Sequence, residues 1–142
     1  MQTLLCFLTL AQAGAGPSRT GAPPMPAPMP ARSSFAAHFN VQLPASVRVY
    51  HYYGEAGPMD PSFAWELGPL DPKLIQRCAK HVGLQRAVKS RPSEHTYTWG
   101  SWWNKAAIQK LPEVYFHEGA PGLIRIWVDR PHKRTWVEWV NL

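Results

Sequence analysis

The residues that could do chemistry are six histidines, His38, His51, His81, His95, His117 and His132, together with Cys78 and a scatter of carboxylates. Cys78 and His81 stand one helical turn apart, which would suit two zinc ligands. Zinc needs three or four, and neither a second cysteine pair nor a His-x-x-x-His accompanies them. Glu94-His95 and His117-Glu118 each set an acid beside an imidazole, but neighbours on an extended chain project to opposite faces. They read as exposed polar residues at strand ends. A thiol on the apolar face of a helix has a raised pKa and is inert, so Cys78 reads as a core residue. The chain has no glycine-rich phosphate loop, Gly-x-Ser-x-Gly elbow or paired-carboxylate motif. It is therefore expected to be non-catalytic, with no metal and no cofactor.

Binding is the better use of its side chains. Lys73, Arg77 and Lys80, continued by Arg86, Lys89 and Arg91, form a basic constellation that could meet an acidic protein surface, RNA phosphates or anionic lipid headgroups. Trp127 and Trp136 are the second candidate contact, for reasons of strand pairing given below. Tryptophans and tyrosines can also stack bases, although a body of about 100 residues uses most large aromatics for burial.

The elements that would position these residues can be read from pattern. Asp71-Pro72 opens a helix: aspartate accepts the orphan amide hydrogens, and proline at the first helical position loses no bond. At about 100° per residue, Leu74, Ile75, Cys78 and Val82 share one face while Lys73, Arg77 and Lys80 share the opposite one. Gly83 follows as a left-handed C-cap. Ser101 is expected to cap a second, shorter helix over 102–111, stopped by Pro112. Residues 46–53 alternate as a strand, 95–99 and 114–116 are strand-like, and 55–69 reads as an irregular loop anchored by Phe63 and Trp65.

Near the C-terminus, Leu123–Asp129 and Arg134–Val140 form a predicted hairpin around Arg130-Pro131-His132-Lys133, with proline where a type I turn prefers it. Placing Asp129 opposite Arg134 also sets Arg125 against Glu138, Trp127 against Trp136 and Leu123 against Val140. The other face then pairs Ile124 with Trp139, Ile126 with Val137 and Val128 with Thr135. One register thus gives two opposite-charge pairs and a tryptophan pair on one face and an almost wholly apolar opposite face. The apolar face should rest on the helices, leaving Trp127 and Trp136 for solvent or a partner.

Composition and charge place the chain. Its 142 residues fit one domain, and 17% charged residues with 7 Trp describe a chain that buries surface against itself or a partner. The net charge is +6, yet residues 41–142 carry 13 Lys and Arg against 9 Asp and Glu, too thin a basic excess for a dense phosphate-binding patch. The first acidic residue is Glu55, so the N-terminal part bears only Arg19, Arg32 and Arg48. An acid-free, arginine-bearing start resembles a mitochondrial transit peptide, with 31–37 as a processing region. Residues 1–13 also have the apolar core and Ala11-Gln12-Ala13 ending of a secretory signal, but lack a basic n-region. Losing either presequence removes Cys6, so no intrachain disulfide is expected. No run is long enough to span a bilayer.

The expected architecture is a small α+β domain over 39–142 with a C-terminal antiparallel hairpin and two short helices on one face. It follows an apolar, targeting-like segment (1–13) and a Pro/Ala-rich extended arm or linker (14–38). The expected role is a non-catalytic accessory subunit of a mitochondrial assembly, in the matrix or at the inner-membrane periphery, whose partners are protein subunits. A respiratory-chain complex is favoured over the mitochondrial ribosome, because sparse charge suits protein contacts better than rRNA. A secreted binding module is the further alternative.

Overall fold

The computed structural model describes residues 29–55, 61–87 and 97–141. They form a mixed α+β domain built on a six-stranded, wholly antiparallel sheet. Along the chain come α1 (Ala31–Phe39), β1 (Arg48–Glu55), β2 (Ser62–Gly68), α2 (Pro72–Val82) and β3 (Gln85–Ala87). After them come α3 (Lys105–Ile108), β4 (Glu113–His117), β5 (Leu123–Asp129) and β6 (Arg134–Val140). The strand order is β1-β2-β6-β5-β4-β3. A first hairpin thus forms one edge, α2 carries the chain across to the far edge at β3, and the β4-β5-β6 meander returns until β6 closes against β2.

The C-terminal hairpin pairs in the expected register at all seven positions, from Leu123 with Val140 to Asp129 with Arg134. Its turn is held by the Lys133 amide donating to the Arg130 carbonyl at 3.2 Å, and the Asp129 carboxylate accepts from the His132 amide at 3.3 Å. Alternation then gives the sheet two unlike faces. Phe63, Trp65, Leu67, Ile124, Ile126, Val137 and Trp139 lie on one side in a single core with Phe35 and Phe39 of α1 and Leu74 and Cys78 of α2. Ala64, Val114, Trp127 and Val140 lie on the other, beneath Trp99, Trp103 and Ile108.

Five expectations need correction. The segment 55–69 is not an irregular loop, because it contains β2, which lies between β1 and β6. From Phe63 to Gly68 that strand is buried throughout, so its sequence shows little of the polar alternation that marks a half-exposed strand. The folded body reaches back to Ala31, into the stretch expected as extended arm. Phe35 and Phe39, one turn apart, bury a helical face, and Asn40 ends it at a left-handed φ of 53°. Arg32 ties this helix to the chain beyond it, donating to the carbonyls of Val47 at 2.6 Å and Pro44 at 2.9 Å.

The second expected helix is only α3, capped by Asn104, whose side chain accepts from the Ala107 amide at 3.1 Å, and not by Ser101. Trp102 and Trp103 precede it in a non-helical turn segment, and both rings meet the sheet. Finally, α2 and α3 lie on opposite faces of the sheet, the first beside α1 and the second among the tryptophans. Of the strand-like stretch 95–99, residues 97–99 are not in a strand and the remainder lies outside the described residues.

Candidate functional site

Helix α2 presents its cations as its sequence requires. Asp71 accepts from the amides of Lys73 at 3.0 Å and Leu74 at 3.2 Å, Pro72 follows, and Gly83 closes the helix at a φ of 71°. With Leu74, Ile75 and Cys78 committed to the core, Lys73, Arg77 and Lys80 are exposed. They border, with Asp71 and Gln76, a shallow groove of about 550 Å³. None of the three cations has an ion-pair partner among the described residues. Asp71 is engaged at the cap, so the groove is positively charged. Arg86 does not simply extend this face: it sits on β3 opposite Tyr115, and its charge acts on Glu113. Lys89 and Arg91 lie outside the described residues.

Cys78 is 1% exposed, and burial pushes its thiol up to about 12, with Arg77 opposing more weakly. It is therefore an inert core thiol. Among the described residues no three His, Cys, Asp or Glu side chains come together as a metal site. No described helix is long and apolar enough to cross a membrane.

Trp127 and Trp136 are placed differently from the expectation of a free aromatic face. Trp103 packs edge-on against both, with centroids 5.9 Å from Trp127 and 5.7 Å from Trp136, and Trp102 stacks over Trp136 at 6.4 Å. Trp127 is buried and Trp136 half-buried. The hairpin's second face thus serves as a floor for the segment 97–111. Pairing within the hairpin could not reveal that cover, because Trp102 and Trp103, which supply it, lie well upstream of the hairpin.

The same cover buries the expected Arg125–Glu138 pair. Arg125 Nε donates to Glu138 Oε2 at 2.9 Å, and Trp99 Nε1 donates to Oε1 at 3.0 Å. Burial raises the Glu138 pKa, and the neighbouring Arg125 charge and these hydrogen bonds oppose the rise.

One acid–imidazole pair was not visible in the sequence. His51 Nδ1 hydrogen-bonds Glu66 Oε2 at 2.6 Å, and Arg134 Nε donates to Oε1 of the same carboxylate at 3.2 Å. A bulge between Val49 and His51 leaves Tyr50 unopposed, and the Arg134 guanidinium lies 3.8 Å over its ring. The His51 ring stacks on Trp102 at 5.2 Å and 9°. A carboxylate that orients an imidazole is an arrangement used for proton transfer. Here its visible work is to fasten Trp102 to the sheet. A strand over 62–68 paired with 48–55 sets Glu66 opposite His51, so the signal for this pair lies in the strand pairing and not in adjacency along the chain.

The fold defines a class, a small α+β domain on a six-stranded antiparallel sheet. No family model, curated protein or solved structure matches the chain.

Proposed function

We propose that the chain is a non-catalytic accessory subunit of a multiprotein assembly, docked through the cationic face of α2 onto an acidic surface of a neighbouring subunit. One observation carries this reading. Arg32, Arg125, Arg130 and Arg134 are all bonded inward, to backbone carbonyls or to Glu138, Glu113 and Glu66, whereas Lys73, Arg77 and Lys80 share one exposed face without ion pairs among the described residues. Surface charges left aligned in this way steer and orient a partner more than they stabilise the fold.

The compartment in this proposal is the mitochondrion and the assembly a respiratory-chain complex, from the acid-free, arginine-bearing N-terminus. Any processing in this proposal falls ahead of Ala31. Residues 31–37 lie within α1, which contributes Phe35 to the core, so a mature chain that keeps this fold begins before Ala31.

Import into isolated mitochondria followed by native electrophoresis is the test. Co-migration with a detergent-solubilised membrane complex is expected, with release when Lys73, Arg77 and Lys80 are changed together to glutamate. Sedimentation with ribosomal particles that RNase disperses would replace this assembly with the mitochondrial ribosome, whose rRNA phosphates the same cations could meet. A mature terminus at Gly14 in a secreted product would remove the mitochondrial compartment altogether.

A further inference from the structure

On the side of the sheet away from α1 and α2, the ends of β1 and β6 and the start of β2 border a cleft of about 400 Å³. Tyr53, Trp99 and Tyr97 form its aromatic wall, with the Tyr53 and Tyr97 rings at centroid distances of 5.0 and 5.6 Å from Trp99 and inclined to it by 49° and 40°. Glu55, Ser62, Thr98 and Asn141 add polar groups. Among the described residues Glu55 is the charged side chain of the lining and has no ion pair; its Oε2 accepts the Tyr53 hydroxyl at 3.0 Å. In a chain of net charge +6, three ring faces and a carboxylate make a locally electronegative cleft.

The wall is built from behind. The buried Glu138 that pairs with Arg125 accepts from the Trp99 indole and from the Tyr97 backbone, so a buried ionic pair fixes both residues. A buried ion pair is seldom a net source of stability. Its position beneath this wall gives it a positioning role.

We propose that this cleft binds the alkylated ammonium group of a small organic cation. Inclined aromatic faces attract a cation through their quadrupoles, and a carboxylate beside them adds direct charge attraction. Methyl groups on the nitrogen suit such a cleft better than a bare ammonium does, because they lower hydration and fill apolar space. A sugar would stack on the same rings, but its binding would not depend on the charge of Glu55.

Titration of the full chain with choline, followed by the indole N–H signal of Trp99 assigned with Trp99→Phe, tests the site. Saturable shifts are expected with choline. Its neutral isostere 3,3-dimethylbutan-1-ol should bind at least about fivefold more weakly, the factor that one cation–π contact supplies. Glu55→Gln should weaken choline by a similar factor without moving the thermal midpoint, and Tyr97→Ala, at a residue 47% exposed, should also weaken it in a folded chain. Equal binding of the isostere, no effect of Glu55→Gln, saturation by methyl glucoside but not choline, or no saturable shift at all would each overturn the proposal.

Discussion

The two faces of the sheet are closed in different ways, with Trp65 and Trp139 on one and Trp99, Trp102, Trp103, Trp127 and Trp136 on the other. Toward α1 and α2 the floor is apolar, and regular helices cover it with phenylalanine and aliphatic side chains. The carboxylate on this side, Glu113, stands at the start of β4 and is held by Arg130 from the adjoining turn at 2.6 and 2.9 Å. On the other side the carboxylate sits in the middle of the sheet. Glu138 is fully buried, its carboxylate held by the Trp99 indole, while Trp102 and Trp103 of the same irregular segment pack on Trp127 and Trp136. A helix spends its own polar groups internally and so best covers an apolar floor. A non-helical tryptophan segment brings an N–H with each ring, and can close over a charge if that donor reaches it, as the Trp99 indole does. The His51–Glu66–Arg134 and Arg125–Glu138–Trp99 networks and the aromatic cleft lie on the face with the irregular cover, and Lys73, Arg77 and Lys80 on the outside of the regular one.

Substitutions can break this contrast. Trp65→Ala, at a ring packed among Phe35, Phe39, Phe63 and Tyr52, should cost the most, about 4 kcal/mol in urea unfolding. An equal loss from Trp103→Ala would show that the irregular cover is as tightly packed as the helical one. Glu138→Ala leaves Arg125 buried without its carboxylate and should cost about 3 kcal/mol, while the double change Arg125→Met with Glu138→Leu should recover most of that. Failure of the double variant to recover would make the pair a net stabiliser and remove its interpretation as a positioning device.

A smaller effect distinguishes the two carboxylates by sign. The hydrogen bonds from Arg130 hold Glu113 below the usual carboxylate range, against a partly opposing burial. Its stabilisation is complete above the unfolded value of about 4.3 and is lost as pH falls through the lowered value. Burial raises Glu138, so the fold favours its protonated form; that preference is present below the unfolded value and disappears as pH rises through the raised one. In acid titrations of stability, Glu113→Gln should flatten the decline below neutral pH and Glu138→Gln should steepen it. The same slope in both variants would contradict the contrast between rim and centre. Least of all, Lys73→Glu should change stability by under about 0.5 kcal/mol, since an exposed cation without an ion pair among the described residues supports binding and not folding.

How far each region could be read from sequence follows the same division. The Asp71 and Gly83 caps, the opposite faces of α2 and the hairpin register depend on residues near one another in the chain or joined by a short turn, and all three are visible in the pattern. Helix α1 was legible in principle from Phe35 and Phe39, but the prolines ahead of it suggested an extended arm. Strand β2 was hidden because it is buried on both sides, and with it went the pairing of His51 and Glu66.

The sequence by itself determined the α+β class, the amphipathic α2 with its three aligned cations, and which hairpin residues face one another. Only the tertiary structure decided which faces meet water. It placed the 97–111 segment over Trp127 and Trp136, turned the Arg125–Glu138 pair into a buried one, and drew Tyr53, Tyr97 and Trp99 around a cleft beside Glu55. The reason is physical: pairing and capping are local, whereas burial is set by whichever distant segment covers a surface, and no periodicity within that surface records it.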